Sequence, residues 1–217
     1  MRNEMEDTAV ITAILQQRIK ENVEALNACL AETPAFIKAV ALVKECLSSG
    51  GKILFCGNGG SAANASHLVN DFTGHMYFDR PPLTAISLAD NISTITATAN
   101  DYSYDQIFSR QVESLGRRGD ILICFSTSGN SPNVLLAAEV AKAKGMLVIG
   151  FTNKEGGKLA KLADIWLRAD SLSAACSEHV HLIMMHTLGE CVEKLIYSDC
   201  PPWVSKKQTT GYGTLLA

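Results

Sequence analysis

Two stretches of the chain hold most of the side chains that could move protons or bind a metal ion. His67 and Asp71 are four residues apart, a spacing that puts both on one face of a helix. Further on come Glu178, His179, His181 and His186, so three of the five histidines fall in one short segment. A single helical histidine is ordinarily packed or solvated. Two helices that each offer carboxylate and imidazole groups make a candidate set of two histidines and two carboxylates, for which zinc is a suitable guest.

A second kind of chemistry sits in two loops. Lys52 to Cys56 is a short apolar run that breaks into Gly57-Asn58-Gly59-Gly60-Ser61, and a helix opens just after it. Glycine allows close approach of the backbone, and a helix N-terminus presents N–H groups to an anion. Seventy residues later Ile121 to Phe125 breaks into Ser126-Thr127-Ser128-Gly129-Asn130-Ser131, four hydroxyls in six positions ahead of another helix. Each loop alone reads equally as a capped turn without a ligand. The pair reads as a neutral cradle for a phosphorylated sugar. No nucleotide is expected: position 62 is Ala, no acidic residue closes a second strand about twenty residues on, and neither loop ends in Gly-Lys-Ser/Thr.

The elements that must hold these groups follow from hydrophobic periodicity. Ile11, Leu15, Ile19, Val23, Leu26 and Leu30 form one apolar helical stripe, stopped at Glu32-Thr33-Pro34. Phe36 to Leu47 makes a second helix that ends at Gly50-Gly51. Strands are predicted over 52–56, 83–88, 121–125, 146–151 and 163–167. Helices are predicted over 62–72, 91–99, 104–115, from 132 to 144, after Gly156-Gly157, and over 173–196. Alternation of this kind specifies an α/β fold, a doubly wound parallel sheet of about five strands flanked by helices, with an N-terminal helical extension. Ligands of such sheets bind beyond the carboxyl ends of the strands, where both loops lie.

The chain has 217 residues, 47% of them hydrophobic and 19% charged, with a formal net charge of -3. That balance, with no Lys/Arg run, argues against a nucleic-acid partner. Seven cysteines, none in a Cys-x-x-Cys pair, point to a reducing compartment. The acidic start, Met1 to Asp7, resembles neither a signal nor a transit peptide, and no apolar stretch is expected to span a bilayer. A cytoplasmic protein is expected.

Cys56-Gly57-Asn58-Gly59-Gly60-Ser61, His67, Arg80-Pro81, Asn100-Asp101, Ile107-Phe108-Ser109-Arg110-Gln111, Ser126 to Ser131 and Asp164 together resemble the phosphoheptose isomerases. These are the sedoheptulose 7-phosphate isomerases of the sugar isomerase (SIS) fold. The similarity runs from the N-terminal helices to about residue 196. It implies N-terminal interface helices over 1–50 and a phosphosugar-binding domain over 51–197; the tail over 198–217 lies outside it and, with its prolines, glycines and polar residues, is expected to be loosely held. The resemblance implies a homotetramer with sites between subunits, acting in heptose biosynthesis. Ser61, Ser126, Thr127, Ser128 and Ser131 would hold the phosphate or neighbouring hydroxyls, and Asn58, Gly59, Gly60, Asn100, Asp101 and Glu178 would line the sugar. Asp71 and His186 would be the acid/base pair, with one zinc on His67, Asp71, Glu178 and His186. Three positions depart from the family pattern: Asp71 stands for glutamate, Glu178 for glutamine and His75 for arginine. A non-catalytic SIS regulator of replication initiation, or an isomerase of another phosphosugar, are the alternatives.

Overall fold

A computed structural model describes residues 4–197. Its centre is a sheet of β1 (Ile53–Cys56), β2 (Ala85–Ser87), β3 (Ile121–Phe125), β4 (Leu147–Asn153) and β5 (Ile165–Ala169). All neighbours are parallel, in the order β2-β1-β3-β4-β5. Every residue of β1 and β3 is buried, as expected when helices cover both faces. Side chains alternate between the two layers. Ile53, Phe55, Ile123 and Phe125 enter one core with Phe72, Val180 and Met185, while Leu54, Leu122 and Cys124 enter the other with Val134, Ala137 and Ala141.

The helices are α1 (Glu4–Ala28), α2 (Thr33–Ser48), α3 (Gly60–Thr73), α4 (Ile92–Asp101), α5 (Ser109–Leu115), α6 (Pro132–Ala143), α7 (Gly157–Leu162) and α8 (Ala174–Tyr197). Residues of α2, α3 and α8 build the first core, and residues of α5, α6 and α7 the second. From β1 the chain steps outward to β2, then returns across β1 to β3 and proceeds to β4 and β5. The direction of winding therefore reverses between β1 and β3, and the two loops open there.

Several expected boundaries shift for local reasons. Pro34 falls in the first turn of α2, where a missing N–H costs nothing, so only a 3₁₀ turn, Cys29–Glu32, separates α1 from α2. The helix predicted over 104–115 is a 3₁₀ turn, Tyr104–Gln106, followed by α5, because the buried Gln111 amide donates to the Ile107 and Leu88 carbonyls at 2.8 Å and fixes the break. Asn100 and Asp101 complete α4 and do not lie beyond it. The predicted tail, 198–217, lies outside the described residues.

The short 3₁₀ turn also corrects the expectation about membrane spans. It leaves 6–48 as one helical run whose best window has a mean hydropathy of 1.4, long and apolar enough by composition to cross a bilayer. Within that run α2 buries Ala39, Val40, Val43 and Cys46 against the sheet. Among the described residues the C-terminal end of α1 docks: Ala25 is buried and His179 Nδ1 meets Asn22 Oδ1 at 2.9 Å. Residues 6–20 are exposed throughout, Val10, Ile11, Ile14, Leu15 and Ile19 included.

Two buried polar groups lock α8 in place. Glu193 is fully buried and accepts from Met76 N, Tyr77 N and Arg80 Nε at 3.0, 2.9 and 2.7 Å. Arg80 spends its other donors on the Asp71 and Phe72 carbonyls at 2.7 and 2.9 Å, tying the end of α3 to α8. Higher on α8, His181 is wholly buried and donates through Nε2 to the Thr152 carbonyl at 3.0 Å. Burial pushes its pKa down from 6.5 to about 4. The unfolded chain takes up that proton at higher pH than the folded one. The stability associated with neutral His181 is thus complete above pH 6.5 and drains away as pH falls towards 4.

Two outcomes follow. Glu193→Ala, which strands a buried guanidinium, is expected to cost about 3–5 kcal/mol in a urea unfolding titration. Unfolding free energy should fall by roughly 3 kcal/mol between pH 6.5 and 4 on account of His181. His181→Gln, which keeps a donor for Thr152 but does not titrate, should flatten that part of the profile.

Candidate active site

The second loop is built by its neighbours as much as by its own sequence. Gly129 has φ +65°, and a Cβ there would run into the Gly156 carbonyl, so the β4–α7 connection packs directly beneath. Thr127 and Gly129 accept from Asn153 N and Leu159 N at 2.8 and 2.9 Å, and Asn130 Oδ1 accepts from Lys158 N at 3.1 Å. Ser126 and Ser131 hydroxyls meet at 3.0 Å. Ser131 is the N-cap of α6, with Pro132 entering the first turn. Thr127 is half-buried and Ser128 exposed, so the loop turns neutral hydroxyls and a helix N-terminus towards the crevice.

The first loop is joined to the second by an amide pair that sequence reading did not find. Asn58 and Asn133 exchange two hydrogen bonds at 2.9 Å each, and Tyr104 donates to Asn58 Oδ1 at 3.0 Å. Asn58 therefore bridges β1, α6 and the turn that follows α4. Asn100 and Asp101 lie exposed just before that turn, with Asn100 Nδ2 donating to Asp101 Oδ1 at 2.8 Å. Gly59 and Gly60 are exposed at the start of α3, and Ser61 is buried behind them.

Further along α3, His67 and Asp71 meet His186 of α8. The two Nε2 atoms are 2.7 Å apart, and Asp71 Oδ2 lies 3.5 Å from His186 and 3.8 Å from His67. Asp71 is 9% exposed, and Oδ2 has no hydrogen-bond partner. Burial raises its pKa above the usual carboxylate range, against the opposing pull of His67 and His186. An orphaned buried carboxylate oxygen and two imidazole nitrogens aimed at one point fit a shared cation. Tetrahedral bonds to zinc of about 2.0–2.1 Å would place ligand atoms roughly 3.3 Å apart, within the spread seen here. The three ligand atoms lie within 4.8 Å of one another.

Glu178, the fourth expected ligand, is not part of this group. Eight residues before His186 on α8, it is about 12 Å away along the axis and turned by about 80°. Its carboxylate packs against Gly60, where a Cβ would overlap it. His179 faces Asn22 of α1, and His181 faces the sheet. Within one chain the His67–Asp71–His186 trio also lies well along α3 from the loops: His67 and Asp71 are about 10 and 16 Å from its start at the first loop.

Sequence reading missed Glu193, Asn133 and Tyr104. Glu193 had a usable signal: next to the buried Leu188, Gly189 and Val192, a carboxylate needs a buried cation, and Arg80 supplies it.

Comparison with known proteins agrees with this architecture. Residues 13–153 match the SIS domain family. A phosphoheptose isomerase of Desulfovibrio desulfuricans is 41% identical over 90% of this chain and 92% of its own length. That of Rhodospirillum rubrum is 46% identical over 76% of this chain and 88% of its own. The solved phosphoheptose isomerase of Francisella tularensis superposes with a TM-score of 0.79 at 37% identity, covering 87% of this chain and 98% of that one. The chain belongs to the phosphoheptose isomerase family of SIS-domain proteins.

Proposed function

We propose that the chain is a cytoplasmic aldose–ketose isomerase that converts sedoheptulose 7-phosphate to D-glycero-D-manno-heptose 7-phosphate. The observation that carries this reading is the meeting of Asp71, His67 and His186 in a chain that also builds a neutral hydroxyl loop. The phosphate rests on Ser126, Thr127, Ser128 and Ser131 at the N-terminus of α6, and Ser61, Asn58, Asn100 and Asp101 line the open sugar chain. Anchoring at one end holds the carbonyl end in reach of the acid/base pair.

Burial raises the pKa of Asp71 and so makes its carboxylate a stronger base. The carboxylate takes the proton from carbon 1, His186 serves the neighbouring oxygen, and the proton returns at carbon 2 through an enediol. His67, Asp71 and His186 would also hold zinc with a position left open; bound zinc would polarise the substrate oxygens and compete with Asp71 and His186 acting as free acid and base.

The gap between trio and hydroxyl loop is closed by a second copy in a homo-oligomer, a tetramer by family resemblance. Two surfaces support this. The apolar face of α1 is exposed among the described residues, and a groove lined by Leu26, Leu30, Phe36, Ile183 and Met184 borders Thr187, next to His186. Seating the first in the second would cover the trio with chain from a neighbour.

Asp71→Asn and His186→Asn are expected to lower kcat by roughly 10²- to 10⁴-fold in an assay of sedoheptulose 7-phosphate conversion, with KM little changed. Conversion at the wild-type rate by both variants would refute the assignment. The pair Ile11→Asp and Leu15→Asp should reduce the mass measured by light scattering and abolish turnover together, while α2, α3 and α8 keep their far-UV signal.

A further inference from the structure

Glu178 lies where α8 passes the first loop, and Asn64 of α3 holds that turn by donating to the Glu178 carbonyl at 3.0 Å. Its carboxylate covers Gly60 so closely that a Cβ would overlap both oxygens, and glycine at this point is what admits it. Gly60 opens a helix of fourteen residues, and Gly59, with φ +57°, turns the chain into it. A negative group against the first turn of such a helix is favourable, and here the protein supplies that group itself. The second loop carries hydroxyls and no carboxylate.

The two loops therefore have opposite preferences. We propose that Glu178 is a specificity-determining residue: it fills the anion position of the first loop, so that the crevice accepts a sugar with one phosphate, seated on the second loop, and rejects one bearing a second anionic group. Its oxygens are acceptors only and suit the hydroxyls of a neutral polyol chain. A carboxylate or second phosphate brought there would meet a like charge in a partly desolvated crevice. This rests on the phosphosugar reading above.

The test is calorimetric titration of the full chain with a phosphorylated alditol and the phosphorylated aldonate of equal length, which differ by one carboxylate. Wild type should bind the alditol at least about tenfold more tightly, and Glu178→Gln should narrow that ratio to about twofold or less, chiefly by tightening the aldonate. Equal affinities in wild type, or an unchanged gap in Glu178→Gln, would overturn the proposal and leave the phosphosugar reading standing. Failure of both ligands to bind either protein would remove that reading and the proposal with it. A far-UV circular dichroism spectrum and melting temperature matched to wild type check that Glu178→Gln remains folded.

Discussion

The packing of α3 alongside α8 is the contact on which the reacting half of the site depends. Each helix follows a parallel strand, so the two run in the same direction over one face of the sheet. At their far ends the buried Arg80–Glu193 pair binds the last turn of α3 to α8, and near their starts Asn64 holds Glu178. Between these ties His67, Asp71 and His186 are brought within reach. A buried ion pair is a weak source of net stability, but it fixes register, since any slide would leave a desolvated charge without its partner. That register is what lets two imidazoles and a carboxylate share one point.

Much of this arrangement was legible in the sequence, and its gaps have physical causes. Five apolar runs separated by helical patterns gave the parallel sheet, because strands buried on both faces leave a continuous signature. The reversal between β1 and β3 is a matter of crossover direction, which no local pattern records. Three of the four expected metal ligands converge. Glu178 does not, because helix phase and rise over eight residues carry it away from His186. His181 looked equivalent to its neighbours, yet it is about 140° around α8 from His186 and faces the sheet. The Asn58–Asn133 pair joins residues seventy-five apart, beyond any spacing argument. The apolar stripe of α1 was plain, but only the structure shows that Val10, Ile11, Ile14, Leu15 and Ile19 stay exposed among the described residues.

These features give a division of labour. One loop, neutral and rich in hydroxyls, suits the phosphate. The other, with a carboxylate of its own, suits hydroxyls. The trio on α3 and α8 gathers a carboxylate and two imidazoles further along the helices, away from both loops. Asp71 is costly to the folded chain: a buried carboxylate oxygen without a hydrogen-bond partner is unfavourable, and the same burial raises its pKa.

The central claim is proton transfer through an enediol, and the fate of hydrogen at carbons 1 and 2 tests it most directly. Sedoheptulose 7-phosphate turned over in D₂O and followed by proton NMR should lose signal at carbon 1 and acquire solvent deuterium at carbon 2 of the aldose. Complete conversion with the carbon 1 hydrogen carried to carbon 2 and no solvent deuterium there, or no exchange at all, would contradict the account.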